Sequence, residues 1–300
     1  MTPQRKRARG AAAAGVVVIA VALSAAGPAQ AAFPGNNGRV AFSNQTFGTS
    51  NQLVRSNIET VNADGSGRVL FPTCRRRRTC GDGDPTWSPK GSLLAFASRT
   101  RLGTAAANGS NVDRLRRRTQ SDGQPAWAPD GSRLAFTGQL TPTSPTNVFI
   151  LGCAGCGITP LTFRGSTESA WSSTNRVAFT RKGNIYTMAS TAKRAKRLTF
   201  KGGTQADWSP HASKLAFVRK GNIYTVRRSG KGLKKITGAG GTQPVWSPDA
   251  KQLAFVRRGA IWVVGTDKQG LRQLAAPVPV VPLSTGQSVR LAAPSWQAVQ

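Results

Sequence analysis

The chain has 300 residues, with 42 Lys and Arg against 11 Asp and Glu, one His and four Cys, and a formal charge of +31. So few carboxylates and a single imidazole exclude a histidine-bound metal centre and leave little for acid–base catalysis. The charge calls instead for salt-sensitive association with polyanions.

Residues 1–31 have the three-part layout of an export signal. Arg5, Lys6, Arg7 and Arg9 form a basic start, Ala11 to Ala26 an apolar run, and Ala29-Gln-Ala31 a small-x-small cleavage site. Its removal would leave residues 32–300, a single domain with a charge of +27, and an uncleaved anchor is the other reading of the segment. No second apolar stretch in that mature chain is long enough to span a membrane.

From Asn37 onward a unit recurs. Its second strand carries Leu/Val-Ala-Phe, ending at Phe42, Phe96, Phe136, Phe179, Phe217 and Phe255. Before it stands a tryptophan turn, as in Trp87-Ser-Pro-Lys-Gly-Ser-Leu-Leu-Ala-Phe96 and Trp246-Ser-Pro-Asp-Ala-Lys-Gln-Leu-Ala-Phe255. Trp87, Trp127, Trp171, Trp208 and Trp246 are 40, 44, 37 and 38 residues apart. Proline ends the first strand because it has no N–H to donate, and Pro-Asp-Gly-Ser makes the turn. Asp130, Asp249 and the sole histidine, His211, hold the same turn slot and read as surface turn residues. A Lys-Gly-Asn turn (Lys182, Lys220) leads to a third strand, Ile185–Thr187 or Ile223–Val226, and a polar turn to a fourth, as at Lys234–Thr237. Four antiparallel strands in about 40 residues is one propeller blade.

The cysteines interrupt this pattern in pairs. Cys74 and Cys80 flank Arg75, Arg76, Arg77 and Arg78 in the loop leaving the first blade, and export permits a disulfide that closes it. Cys153-Ala-Gly-Cys156 falls at a third-to-fourth strand turn. A redox Cys-x-x-Cys and a hairpin staple are the two readings, and the absence of a helix start to lower a thiol pKa favours the staple.

The ends are complementary. The first repeat starts at its second strand, Asn37–Phe42, and the last stops after a first strand, Pro294-Ser-Trp-Gln297, so the two fragments together make one blade. The expected fold is all-β, a six-bladed propeller of four-stranded antiparallel blades closed by pairing the N- and C-terminal strands. The Val- and Pro-rich segment from Ala275 to Ala293 departs from the spacing, and either covers the closing blade or reaches a partner.

The units Pro-x-Trp-Ser-Pro-Asp-Gly followed by x-x-Leu-Ala-Phe resemble the repeats of TolB-like propellers, periplasmic relatives of WD-type repeats. The likeness spans nearly the whole mature chain, without the α/β domain that precedes the propeller in TolB. Similar repeats also precede the catalytic domain of prolyl-peptidase-like hydrolases. The resemblance implies a rigid disc that binds a macromolecule or ligand through its loop faces.

Two candidate binding features follow. Three residues before each tryptophan stand Asp84, Gln124, Glu168, Gln205 and Gln243, with Ala293 in the sixth place. They would form a polar collar at the channel mouth, where the innermost strands start. On the same face, turns and interblade loops place Arg181, Lys182, Arg219, Lys220, Arg257 and Arg258, together with Arg75 to Arg78, as a basic docking face. Lys193, Arg194, Arg228 and Lys231 fall on the opposite face, so the charge is not confined. Tyr186 and Tyr224 read as blade packing. The remaining Trp and Phe are assigned to the repeat core, which argues against base stacking and sequence-specific nucleic-acid binding.

No catalytic residue, metal or cofactor is expected. The expected function is that of an exported, monomeric binding scaffold (periplasmic, cell-wall associated or extracellular) for an envelope protein or anionic polymer. The alternative is a propeller enzyme acting on an anionic carbohydrate, with Asp84 and Glu168 as its carboxylate pair.

Overall fold

A computed structural model describes residues 32–73, 81–115, 119–152, 157–279 and 283–300. The expected signal segment, the four cysteines and Arg75 to Arg78 lie outside the described residues. The described strands form six four-stranded antiparallel sheets. Their innermost strands are Asp82–Trp87, Gly123–Trp127, Thr167–Trp171, Thr204–Trp208 and Thr242–Trp246 in blades 2 to 6. In blade 1 the innermost strand comes from the C-terminal end. Ser288–Val299 pairs with Asn36–Phe47, with Val40 opposite Trp296 and Asn44 opposite Leu291. Each innermost strand also touches that of the next blade, and the sixth touches the first, so the ring is closed.

The packing explains the repeated motif. The apolar core is six wedges between blades, and a tryptophan closes each one. Trp208 packs on Ala178, Ile185 and Leu198 of the preceding blade, Trp246 on Ala216, Ile223 and Ile236, and Trp296 on Ala254, Ile261 and Leu274. The small residue of each Leu-Ala-Phe triplet lies where the next indole must lie flat, and a larger side chain would push the sheets apart. The serine of Trp-Ser-Pro sets the following turn, as Ser247 Oγ accepts the Gln252 N–H at 2.8 Å and Ser209 Oγ the Lys214 N–H at 3.0 Å. Asp130 and Asp249 are turn formers as expected, each accepting a backbone N–H two residues on, and His211 is exposed in the same turn.

The fourth strands are shorter than expected. Blade 5 keeps only Lys234–Lys235, because Ile236 and Thr237 turn inward as the interblade loop begins. The irregular segment after Ala275 crosses blade 1. The Val278 carbonyl accepts from Asn44 Nδ2 at 2.8 Å and the Ala276 carbonyl from Arg68 Nη1 at 2.5 Å. It therefore covers the closing blade.

Candidate binding face

The collar positions share one backbone feature that side-chain identity alone does not reveal. Asp84, Gln124, Glu168, Gln205, Gln243 and Ala293 all have positive φ, between 48° and 57°. At each, the pairing between the first and second strands slips, as between Thr204 and Asp207 in blade 5 or Thr242 and Val245 in blade 6. A β-bulge with one residue in the left-handed region breaks the strand's alternation and re-aims that side chain. Here it is aimed at the next blade.

The result is a ring of hydrogen bonds. Gln205 N donates to Glu168 Oε2, Gln243 N to Gln205 Oε1 and Ala293 N to Gln243 Oε1, each at 2.9 Å. Glu168 N donates to Gln124 Oε1 at 3.3 Å, and Gln124 N donates to the Asp84 carboxylate. Alanine at 293 has no acceptor for the last link. Ser43 Oγ, on the second strand of blade 1, replaces it by accepting the Asp84 N–H at 3.0 Å. The five polar collar residues are thus brought together, with at least one acceptor of each engaged in holding neighbouring blades. Burial pushes the Asp84 carboxyl up to about 6 and raises Glu168 too, against the hydrogen bonds from Gln124, and from Thr180 and Gln205, that favour the charged forms. Gln243 Nε2 is buried without a partner.

A second inter-blade stitch was not visible as a site. Asp207, fully buried one residue before Trp208, accepts the Trp246 N–H of the next blade at 2.6 Å, and burial raises its pKa well above the ordinary carboxylate value. Its Oδ1 has no partner. Ser295 does the same for Trp87 at 3.2 Å. The position before each tryptophan also carries Thr86, Ala126, Ala170 and Val245, so no pattern marks the carboxylate.

The basic pairs share the collar's face and divide in two. Backbone bonds from Gly203 to Gly183 and from Gly241 to Gly221, both 2.9 Å, tie the second-to-third strand turns to the interblade loops that lead into the collar. Arg181, Arg219 and Arg257 do not project freely. They are half-buried, stacked over Tyr186, Tyr224 and Trp262 at 5.3, 5.8 and 5.2 Å. Tyr186 and Tyr224 in turn stack on Phe179 and Phe217, as blade packing. Lys182, Lys220 and Arg258 are the exposed members. They stand at the first central position of tight turns with φ of 47°, 48° and 51°, each followed by a glycine with φ between 66° and 72°. Two consecutive positive φ values make a type I′ turn, whose twist suits a hairpin.

Two exposed aromatics on this face correct the expectation that Phe belongs to the core. Phe163 and Phe200 are 71% and 72% exposed. They occupy the same place in successive interblade loops, Leu161-Thr-Phe-Arg-Gly165 and Leu198-Thr-Phe-Lys-Gly202. The leucine is buried and the threonine Oγ1 accepts an N–H at the start of the third strand (Ile185 N to Thr199 Oγ1, 2.9 Å), so the next residue is directed outward. The repeat of Leu-Thr-Phe-cation-Gly was the available signal.

Acidic residues are distributed unevenly. The exposed ones are Asp64, Asp113, Asp130, Asp249 and Asp267, which lie in first-to-second or third-to-fourth strand turns or beside one. Those nearest the collar face, Asp82, Asp84, Asp122 and Glu168, are buried or half-buried. Among the described residues no group of three or more His, Cys, Asp and Glu is placed to hold a metal, and no helix is long and apolar enough to cross a membrane.

The fold is that of TolB propellers. The chain matches TolB of Acinetobacter baumannii with a TM-score of 0.72 at 18% identity, over 89% of this chain and 68% of that one. It matches a putative TolB of Agrobacterium tumefaciens at 0.62 and 17%, over 84% and 98%. A chain of a nidogen/laminin complex matches at 0.69 and 11%, over 88% and 100%. The tricorn protease and a puromycin hydrolase match over 27% and 43% of their own lengths. No protein-family model matches the sequence, and no curated protein does.

Proposed function

We propose that this chain is an exported, non-catalytic propeller that acts as a binding scaffold in the cell envelope and meets acidic partners through its collar face. One observation carries the reading. On that face the carboxylates are withdrawn from solvent, while Lys182, Lys220 and Arg258 stand exposed on rigid hairpin tips with no carboxylate partner among the described residues. Unopposed charge on a stiff frame attracts anions over a Debye length and fixes their orientation. The TolB and nidogen/laminin likenesses support a scaffold of this shape without naming its partner. The collar lies at the centre of the face, where its hydrogen bonds hold neighbouring blades together.

The enzyme alternative keeps two supports, the raised Asp84 carboxyl and the occurrence of the fold within hydrolase chains. Against it, Asp84 and Glu168 each bind the next blade's backbone, and blade 3 stands between them. The test is capture from an envelope extract on the immobilised chain, eluted in a salt gradient. A discrete protein or polymer retained to high salt supports the scaffold. A broad set of polyanions released together at moderate salt argues for bulk charge instead. Turnover of a uronic-acid polymer, abolished by Asp84→Asn, would establish the alternative.

A further inference from the structure

Phe163 and Phe200 stand well out from the face, with only the Arg197 guanidinium over one side of the Phe200 ring. Exposed apolar side chains grouped on one face mark an interaction surface more often than scattered ones do. Leu140, 54% exposed in the second-to-third strand turn of blade 3, extends the row to a third apolar tip. The Ser166 N–H to Thr146 carbonyl bond, 2.8 Å, joins that turn to the loop carrying Phe163. Cations alternate with these tips. Arg164 follows Phe163, Lys201 follows Phe200, and Lys182 stands on the intervening hairpin, all exposed.

We infer that this sector of the collar face seats on an anionic lipid surface, with Leu140, Phe163 and Phe200 entering the boundary between headgroups and acyl chains and Arg164, Lys182 and Lys201 meeting the headgroup phosphates. The inference rests on the acidic-partner reading above and names that partner. Charge complementarity selects an anionic surface, because no exposed carboxylate shares the face. The shape selects a lipid over a chain polymer. The apolar groups project singly from three loops of neighbouring blades. Isolated tips gain little from a rigid partner that must fit all of them at once, whereas a fluid interface buries each independently. Stacked bases suit the row poorly. Leu140 offers no ring, and Arg197 already covers one side of Phe200 at 4.9 Å. The anchored Leu-Thr pairs hold the tips out before any membrane is met, which lowers the ordering cost of binding.

The test uses the full chain with vesicles of phosphatidylcholine alone and of phosphatidylcholine with phosphatidylglycerol. Co-sedimentation is measured beside hydrogen exchange of the loops. Vesicles containing phosphatidylglycerol are expected to bind and to protect residues 139–146, 162–165 and 199–202, leaving the turns that carry Asp130 and Asp249 unprotected. Phe163→Ser with Phe200→Ser should weaken partition about tenfold or more, and Lys182→Gln with Lys201→Gln roughly thirtyfold. Any contribution from the apolar run at residues 11–26 is common to all variants and appears on the neutral vesicles. Unchanged partition of the Phe pair, with native thermal unfolding, overturns the inference. So does protection confined to the opposite face, or tighter Phe-dependent binding of a single-stranded oligonucleotide. Failure to bind anionic vesicles alongside retention of an acidic envelope protein overturns the lipid assignment and keeps the scaffold. Failure of both overturns both.

Discussion

Replacing Gln243 by Met tests whether the collar is a stitched ring. Methionine keeps the length and volume of the side chain but removes the acceptor for the Ala293 N–H, a 2.9 Å bond whose two residues are each 2% exposed. A buried donor left without a partner costs about 1–3 kcal/mol. The same substitution removes Gln243 Nε2, itself buried and unpartnered, which offsets part of that loss. The net destabilisation is therefore placed at about 1–2 kcal/mol, or about 2–8 °C in melting temperature for a domain of this size. Blade closure magnifies the consequence, because Ala293 lies in the C-terminal strand that completes blade 1. Urea unfolding followed by tryptophan fluorescence would measure it, with Gln269→Met at an exposed position as the control, expected within about 0.5 kcal/mol of wild type. If Gln243→Met were as stable as the control, the ring would contribute nothing and the bulges would need another explanation.

Three further outcomes follow from the same geometry. Ala216→Leu, which pushes into the seat of Trp246, should cost about 1–3 kcal/mol by overpacking and alter the near-UV signal, while Trp208→Ala should cost about 3–5 kcal/mol. Asp84, Glu168 and Asp207 have folded pKa values raised above their unfolded ones, so their ionisation opposes folding. Stability should be fullest below about pH 4 for these groups and fall as pH rises through about 6 at Asp84. Asp207→Asn keeps the acceptor for Trp246 N and should raise the melting temperature at pH 7.5 while flattening that slope, whereas Asp207→Ala orphans the Trp246 N–H and should cost about 1–3 kcal/mol. Ala250, held at φ 60° in the turn after Trp246, should gain up to about 1 kcal/mol on replacement by Gly, since the left-handed region strains a residue with a Cβ.

Much of the fold was legible because the motif is itself the inter-blade contact. Tryptophan needs a flat seat, alanine supplies it, and both recur in every blade. The complementary ends were legible for the same reason, since a half-blade exposes edges that only its other half can cover. The collar was legible as a set of positions but not as a device. A side-chain pattern records neither the positive φ at Gln205 nor the direction of the Gln205 to Gln243 bond, which arise from a bulge two strands wide. Ser43 and Asp207 were hidden because their partners are backbone N–H groups of another blade. Phe163 and Phe200 were misassigned because phenylalanine elsewhere in the chain closes the core, and only the Thr hydroxyl bonds reveal that these two are turned outward. Arg181, Arg219 and Arg257 lie on the collar's face, but adjacency in sequence did not disclose that Tyr186, Tyr224 and Trp262 would draw their guanidiniums down.

The central claim, that one face of the disc recognises acidic partners, is tested most directly by moving charge on each face separately. Lys182→Glu, Lys220→Glu and Arg258→Glu alter the collar face. Lys193→Glu, Arg194→Glu and Lys231→Glu make the same change in net charge on the other. Retention of envelope components on each immobilised variant would be compared through a salt gradient. Retention is expected to collapse for the collar-face variant and to persist, eluting at nearly the wild-type salt concentration, for the opposite-face variant. Equal loss in both would mean that overall charge governs binding, and the assignment of a docking face would be wrong.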